Sequence, residues 1–209
     1  MSVIFNGKDS LNDFNIFVAT KEIPAPIRKT VTDSVPYMSG LWDFSTNEYE
    51  AIILKYSFDV IAENKRDLNA QKTKLLAWLN GKGKELFDTD ISLDYHYEVY
   101  FVKTSWSEDG LQALLTAELT CYPFLKSADI SSVNTLTSTQ KTITVKNNGA
   151  REVWTSVTVS SAAQITVGDS VYSFSAGTFD YAFKLSAGSN ILKIKGSGSL
   201  KITYKEEIF

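Results

Sequence analysis

The chain carries one histidine and one cysteine, so acid–base or nucleophilic chemistry would have to be built from very few parts. His96 lies in Tyr95-His96-Tyr97 with no second histidine and no neighbouring nucleophile pattern, which leaves a Ser-His or Cys-His pair incomplete. If this stretch is a strand, His96 points away from the face that Tyr95 and Tyr97 share. Cys121 alternates with Leu119 on an apolar face and reads as a buried structural thiol, because a reactive thiol needs an exposed, electropositive setting. Asp88, Asp90 and Asp94 form the densest acidic cluster. A calcium loop also needs a central glycine and a closing glutamate; only the first two ligands fit, so the cluster reads as a solvated loop. Glu48 and Glu50 share a strand face and imitate a glycosidase pair, but nothing sets them across a cleft. Gly81-Lys82-Gly83-Lys84 lacks the Ser or Thr that follows the lysine of a phosphate loop, and it comes after a helix instead of before one. No catalytic residue, metal or cofactor is assigned, and the chain reads as a non-enzyme.

Aromatic residues offer a different chemistry, stacking against sugars. Trp154, Tyr172, Phe174, Phe179, Tyr181 and Phe183 fall close together, and Phe179, Tyr181 and Phe183 alternate as a strand would. A small sandwich needs large side chains inside, so these read as core. Trp154 is the one candidate glycan contact.

Composition narrows the classes further. At 209 residues the chain fits one large all-β domain or two small ones, and 44% hydrophobic residues is ordinary for a folded protein. A formal charge of -3 provides no footprint for wrapping nucleic acid. No apolar run reaches membrane-spanning length, and MSVIFNGKDS has neither the basic start nor the apolar core of a signal peptide; synthesis and folding in a cytoplasm, without membrane insertion, are expected. The lone cysteine excludes an intrachain disulfide framework.

The elements that must position these residues follow from periodicity. Phe5, Phe14, Ile16 and Val18 supply one buried side of short extended segments, with Asn6-Gly7 and Leu11-Asn12-Asp13 as turns. Ile23-Pro24-Ala25-Pro26 is held extended by its prolines, Val35-Pro36 repeats the constraint, and Gly40 frees the chain to turn; this irregular stretch is expected to lie along another surface. Glu48 to Ile61 alternates, with Ile52, Leu54, Tyr56, Phe58 and Val60 on one face. Asn64 caps a helix running from Lys65 to Asn80, whose stripe is Leu68, Leu75, Leu76 and Leu79 with Trp78 on the flank, and Gly81 closes it. Residues 81–93 read as a loop. Tyr95, Tyr97, Val99 and Phe101 begin a strand, Ser107-Glu108-Asp109-Gly110 a hairpin turn, and Leu111 to Cys121 the return strand. Ser127 to Gln140, rich in Ser and Thr, reads as a crossing between domains. Seven short runs between Lys141 and Tyr204, separated by Gly, Ser and Asn, then indicate a β-sandwich of jelly-roll type.

Gly7, Asp9-Ser10, Phe14-Asn15, Ile23-Pro24-Ala25-Pro26, Lys29, Val35-Pro36 and Gly40 through Trp42-Asp43 together resemble the amino-terminal signature of siphophage distal tail (Dit) proteins. Trp78-Leu79 before Gly81 is similar to that family's helix terminus, and Cys121-Tyr122-Pro123-Phe124 to the motif closing its first domain. Val145 to Gly149, Leu185 to Asn190 and Ile202-Thr203-Tyr204 resemble its galectin-like or carbohydrate-module-like second domain. The sequence departs from the pattern at Trp154-Thr155, where a proline is common, and its sandwich is abbreviated.

The resemblance implies a mainly β protein: an α+β ring-forming domain over residues 1–127 with one long helix, a crossing at 128–140, and a jelly-roll or galectin-like sandwich over 141–209. It implies a structural protein of the virion tail tip, made in a bacterial host and carried by an infectious phage or a prophage. The first domain would form a homohexameric ring between the tail tube protein and a tail-tip or tail-associated protein, with DNA only in transit through its channel. The excess of acidic over basic residues up to Ser127 suits a lining that repels phosphate. A ring needs two unlike matching surfaces; Asp9 to Val18 and either Glu48 to Val60 or the Tyr95 to Gly110 hairpin are the expected ones. The sandwich would serve a receptor-binding protein. The competing class is a carbohydrate-binding module for host surface saccharides.

Overall fold

A computed structural model describes residues 1–30, 32–33, 42–43, 48–80 and 84–209. Val35, Pro36, Gly40 and Gly81, each part of an expected motif, lie outside the described residues, as do Lys82 and Gly83 of the discarded phosphate loop. The described residues are mostly strand and group into two compact units, Met1–Leu125 with Phe209, and Lys126–Ile208.

In the first unit β1 (Val3–Phe5) and β2 (Lys8–Asp9) are joined by Asn6-Gly7, both at positive φ (53° and 71°), the backbone that a two-residue hairpin demands. Then come β3 (Phe17–Glu22), β4 (Thr32–Asp33), β5 (Trp42–Asp43), β6 (Ile52–Ile61), helix α1 (Lys65–Leu79), β7 (Lys84–Asp88), β8 (Tyr95–Asp109) and β9 (Gln112–Ser127). One sheet runs in the order β2-β1-β7-β8-β9-β6-β3. The alternation read in β6 is present: Ile52, Leu54, Tyr56, Phe58 and Val60 are all buried.

Several expectations give way here. The stretch 81–93 is not all loop, since Lys84–Asp88 is a strand inserted between β1 and β8. With Leu86 and Asp88 buried, Asp88 is no solvated loop carboxylate. Along β8 burial follows Tyr97 and Val99 and then shifts to Val102, Thr104 and Trp106, leaving Tyr100 and Phe101 both exposed, so the expected alternation ends at Val99. Helix α1 begins at Asn64, whose side chain accepts from the Asp67 N–H (2.9 Å). Leu76 and Trp78 lie roughly 80° to either side of the Leu68–Leu75–Leu79 line at 3.6 residues per turn. The helix turns toward Trp78, which is buried, and leaves Leu76 41% exposed. The proline-stiffened stretch is paired with itself: Glu50 N–H donates to Ile27 O, Lys29 N–H to Glu48 O, and β4 pairs with β5, making an antiparallel arm.

The sheet is curled. Lys21 of β3, last in the order, lies 3.1 Å from Asp88 of β7, third in the order, and Tyr56 of β6 donates to the same carboxylate at 2.9 Å. A flat sheet would hold these strands several strand spacings of ~4.8 Å apart. Asp88 Oδ1 also accepts from the Asp90 N–H (3.0 Å), and Lys21 reaches Asp90 (3.1 Å).

The second unit is a two-sheet sandwich. Its strands are β10 (Ile130–Leu136), β11 (Lys141–Asn147), β12 (Val153–Trp154), β13 (Ser156–Val159), β14 (Ala163–Val167), β15 (Ser170–Phe174), β16 (Gly177–Phe179), β17 (Lys184–Leu185), β18 (Gly188–Gly196) and β19 (Gly198–Tyr204). One sheet is ordered β10-β19-β13-β16 and the other β11-β18-β14-β15, which is the eight-strand jelly-roll arrangement. Val157, Val159, Leu200 and Ile202 from one sheet meet Val145, Ile165, Leu192 and Ile194 from the other. The sandwich is not abbreviated. Its eighth strand is β10, inside the stretch expected at 128–140 as a crossing; Ser and Thr suit an exposed strand face, and β10 pairs along its whole length with β19.

Lys21→Met leaves Asp88 buried without its cation and is expected to cost about 3–5 kcal/mol, whereas Lys21→Met with Asp88→Leu should recover most of that. Urea unfolding of both variants checks this. A Lys21→Met protein as stable as the original would mean the pair does not hold the sheet closed.

Candidate functional site

Of the amino-terminal residues singled out, Gly7 to Asn15 fold into a compact knot. Asp9 accepts from the Leu11 N–H (2.7 Å), the Asn12 N–H (2.9 Å) and the Ser2 hydroxyl (3.0 Å). Burial alone raises its pKa, but these donors from Asn12, Leu11 and Ser2 outweigh it and hold the carboxyl below its ordinary value. Ser10 is fully buried; its N–H donates to Val3 O, and its hydroxyl accepts from the Val3 N–H. Gly7 and Asn15 sit at positive φ.

Trp78 locks this knot to the helix. Its indole N–H donates to Phe5 O (2.7 Å), and its ring meets Phe5, Phe14 and Phe58 at 6.4, 4.8 and 6.0 Å. Asn6 donates to Trp78 O (2.8 Å), and Leu79 is buried beside it. The Phe14 ring is half-buried, with the Lys8 ammonium over it. Further along, Ile23 and Pro26 are half-buried and Pro24 is exposed, at the foot of the arm that β4 and β5 continue. Trp42 and Asp43 form β5.

The closing motif is internal. Cys121 has no exposure, and burial pushes its thiol up to about 12, so it stays protonated and unreactive at neutral pH. Pro123 is buried, and the Phe124 ring packs on Tyr49 (4.8 Å), Tyr122 (5.8 Å) and Phe209 (5.2 Å). His96 lies across the strand from Tyr97, yet it too is buried; its ring meets Phe87 (5.1 Å), and Nε2 is 3.4 Å from Glu85. Glu48 and Glu50 are exposed on the arm. Lys21 carries no sequence signal and Tyr56 reads only as part of the apolar face of β6; no local spacing marks either as a partner of Asp88.

What the first unit leaves exposed is a set of apolar side chains on its strands: Phe17 of β3, Ile53 and Ile61 of β6, Phe101 of β8 and Leu114 of β9. Around the hairpin end of β6, β8 and β9, Asp59, Ile61, Ser107, Asp109, Gln112 and Leu114 border an open hollow of about 420 Å³. Such a surface suits docking better than turnover: it is broad, partly apolar and rimmed by charge. In the second unit Trp154, the candidate glycan contact, is 49% exposed; Tyr181, expected in the core, is 74% exposed, while Phe183 is buried and Tyr172, Phe174 and Phe179 pack partly against that core.

Neither a family model nor a curated protein matches the sequence. Solved structures do match its fold. The Dit protein of phage SPP1, described as a paradigm of the hub adsorption apparatus in phages infecting Gram-positive bacteria, aligns over 100% of this chain and 99% of its own, with a TM-score of 0.71 and 15% identity. A chain of the phage p2 baseplate in its activated conformation aligns over 98% and 97%, with a TM-score of 0.53 and 4% identity.

Because the folded Asp9 carboxyl lies below its ordinary value, its stabilisation is present above that ordinary value and is lost as pH falls through the folded one. Asp9→Asn should therefore lower the melting temperature at pH 6, with the gap to the unaltered protein closing below about pH 4. A gap independent of pH would mean that the turn does not depend on the charge.

Proposed function

We propose that this protein is a distal tail hub, a structural component of the tail tip of a long-tailed phage or prophage particle. The observation that carries the reading is the fold likeness to the SPP1 Dit protein over both chains in full, spanning both compact units. That neighbour belongs to an adsorption apparatus, and the p2 chain to a baseplate. The buried cysteine and histidine and the structural use of Asp88 agree with a non-enzymatic role.

In this reading the first unit closes into a homohexameric ring that joins the tail tube protein to the tail-tip or tail-associated protein, and DNA passes through its channel. Residues 1–127 form the ring domain, and the sandwich offers a surface to a receptor-binding protein. A cyclic ring needs one patch to meet a different patch on the next copy. Two features of the first unit suit this. Ile27 and Lys29 pair with Glu50 and Glu48 by backbone hydrogen bonds, an antiparallel pairing at the sheet's margin, and Phe17, Ile53, Phe101 and Leu114 leave an apolar strand surface uncovered. The hairpin of β8 and β9 bears Leu111 and Leu114 near its turn, where Gly110 takes φ 62°.

Light scattering on the purified full-length protein tests the ring: a six-fold mass, with rings in negative stain, is expected. Replacing Ser107 to Leu111 with a shorter turn should leave a folded monomer by circular dichroism. Hexamers that survive the replacement would remove the hairpin from the interface, and a monomer at every concentration, also when mixed with tail tube protein, would overturn the ring.

A further inference from the structure

We propose that the hairpin tip of β8 and β9 in one copy of the chain seats in a cationic hollow on the next copy, head to tail. This contact deepens the ring reading above, on which it rests, by naming the two surfaces that meet. The hollow measures about 370 Å³ and is lined by Asn6, Lys8, Phe14, Lys74, Ala77 and Trp78. Lys8 and Lys74 are exposed, and among the described residues neither ammonium forms an ion pair. The Lys8 ammonium stands over the Phe14 ring, 5.8 Å from its centroid, so the hollow offers a cation and an apolar wall together. Asn6 spends its amide N–H on Trp78 O (2.8 Å), and no donor among the described residues reaches its buried Oδ1. A buried acceptor without a donor is unfavourable, and a backbone N–H brought in by an occupant removes that cost.

The complementary surface lies at the other end of the helix. The Ala62 N–H donates to Leu111 O, which sets the hairpin tip beside the start of α1, whereas Lys74, Ala77 and Trp78 belong to its second half. From Asn64 to Trp78 the helix runs about 21 Å at 1.5 Å per residue, so one rigid element separates the two surfaces. At the tip Asp109 and Leu111 flank Gly110, which takes φ 62°. Leu111 is 41% exposed, and Asp109 forms no ion pair among the described residues. Exposed Ile61 and Leu114 extend the apolar surface, and Asp59 adds a second exposed carboxylate. Glu108 is already held by Lys65 and Lys72 of its own chain.

Shape and charge select the occupant. The tip projects and carries carboxylates around a leucine, while the hollow recedes and carries ammonium groups around an apolar wall. With Leu111 against Ala77 and the Phe14 edge, Asp109 lies between Lys8 and Lys74, and a backbone N–H of the tip reaches toward Asn6. A free anion would answer the lysines and leave the apolar wall wet. Like surfaces do not meet: two tips bring Asp59 and Asp109 against their own copies, and two hollows do the same with Lys8 and Lys74, so a two-fold dimer through either surface is repelled. Unlike surfaces at opposite ends of one body pass the contact from copy to copy, and such a contact closes as a ring.

Light scattering on the full-length protein, under conditions where the unaltered chain assembles, reads the contact. One variant carries Lys8→Glu and Lys74→Glu, the other Asp59→Lys and Asp109→Lys. Each alone should need a concentration about tenfold higher or more for half-assembly. Mixed in equal amounts, the two should assemble at the concentration that suffices for the unaltered chain. Alternate copies then present an acidic tip to a basic hollow and a basic tip to an acidic one, an order that a six-membered ring accommodates. Recovery on mixing also shows that both variants fold. Either variant assembling alone as readily as the unaltered chain overturns the contact and leaves the ring standing, and so does a weakened pair that fails to recover on mixing. An unaltered chain that stays monomeric at every concentration, also with tail tube protein, overturns the contact and the ring together.

Discussion

Burial of one carboxylate governs the first unit. Asp88 has no side-chain exposure, and an isolated charge in that position would be strongly unfavourable. It persists because Lys21, Tyr56 and the Asp90 N–H all point at it. Two of those groups come from β3 and β6, at the far end of the sheet from β7, so satisfying the charge and curling the sheet are the same event. The consequences spread outward. Burial and then the Asp88 charge raise the pKa of Tyr56, and Tyr97 is pushed up to about 12 for the same reasons. Desolvation opposes the charge on Lys21, but its bonds to Asp88 and Asp90 raise its pKa nonetheless.

Once the sheet is curled, one side of it needs a cover, and α1 supplies one with a narrow stripe. Leu68, Leu75 and Leu79 would make a modest contact alone; Trp78 widens it and carries a hydrogen bond to β1. That bond ties the last helical turn to the first strand, and Asn6 returns a second bond to the Trp78 carbonyl. The amino-terminal knot around Asp9 and Ser10 is thus held from two sides. Asp9, Ser10, Phe14 and Trp78, far apart in the chain, are parts of a single clamp.

Where burial follows a local period, the sequence discloses the fold. The β6 alternation, the Asn64 cap, the Asp109-Gly110 turn and most strands of the sandwich were legible because each rests on neighbours two to four residues away. Lys84–Asp88 was not, since its five residues include three charges and its burial depends on β1 and β8, one of them some eighty residues distant. Strand β10 was hidden for a related reason: Val133 is 69% exposed, and its pairing with β19 bridges about seventy residues. The side of α1 that faces inward could not be read either, because Leu76 and Trp78 flank the stripe equally. Phe5 and Phe58, both remote in sequence, decided it in favour of Trp78.

Tyr181 marks the limit of such reading most sharply. Spacing alone makes Phe179, Tyr181 and Phe183 equivalent, and a period of two would bury all three. The chain cannot do so, because Thr155 draws Phe183 inward by its carbonyl while Gly177–Phe179 is already paired with β13. The residue between must reverse direction, and a tyrosine takes the left-handed conformation there. Hydrophobic burial of Phe183 and three hydrogen bonds at Thr155 together exceed the strain of one residue. The exposed ring beside Trp154 is thus a consequence of how the core is fastened.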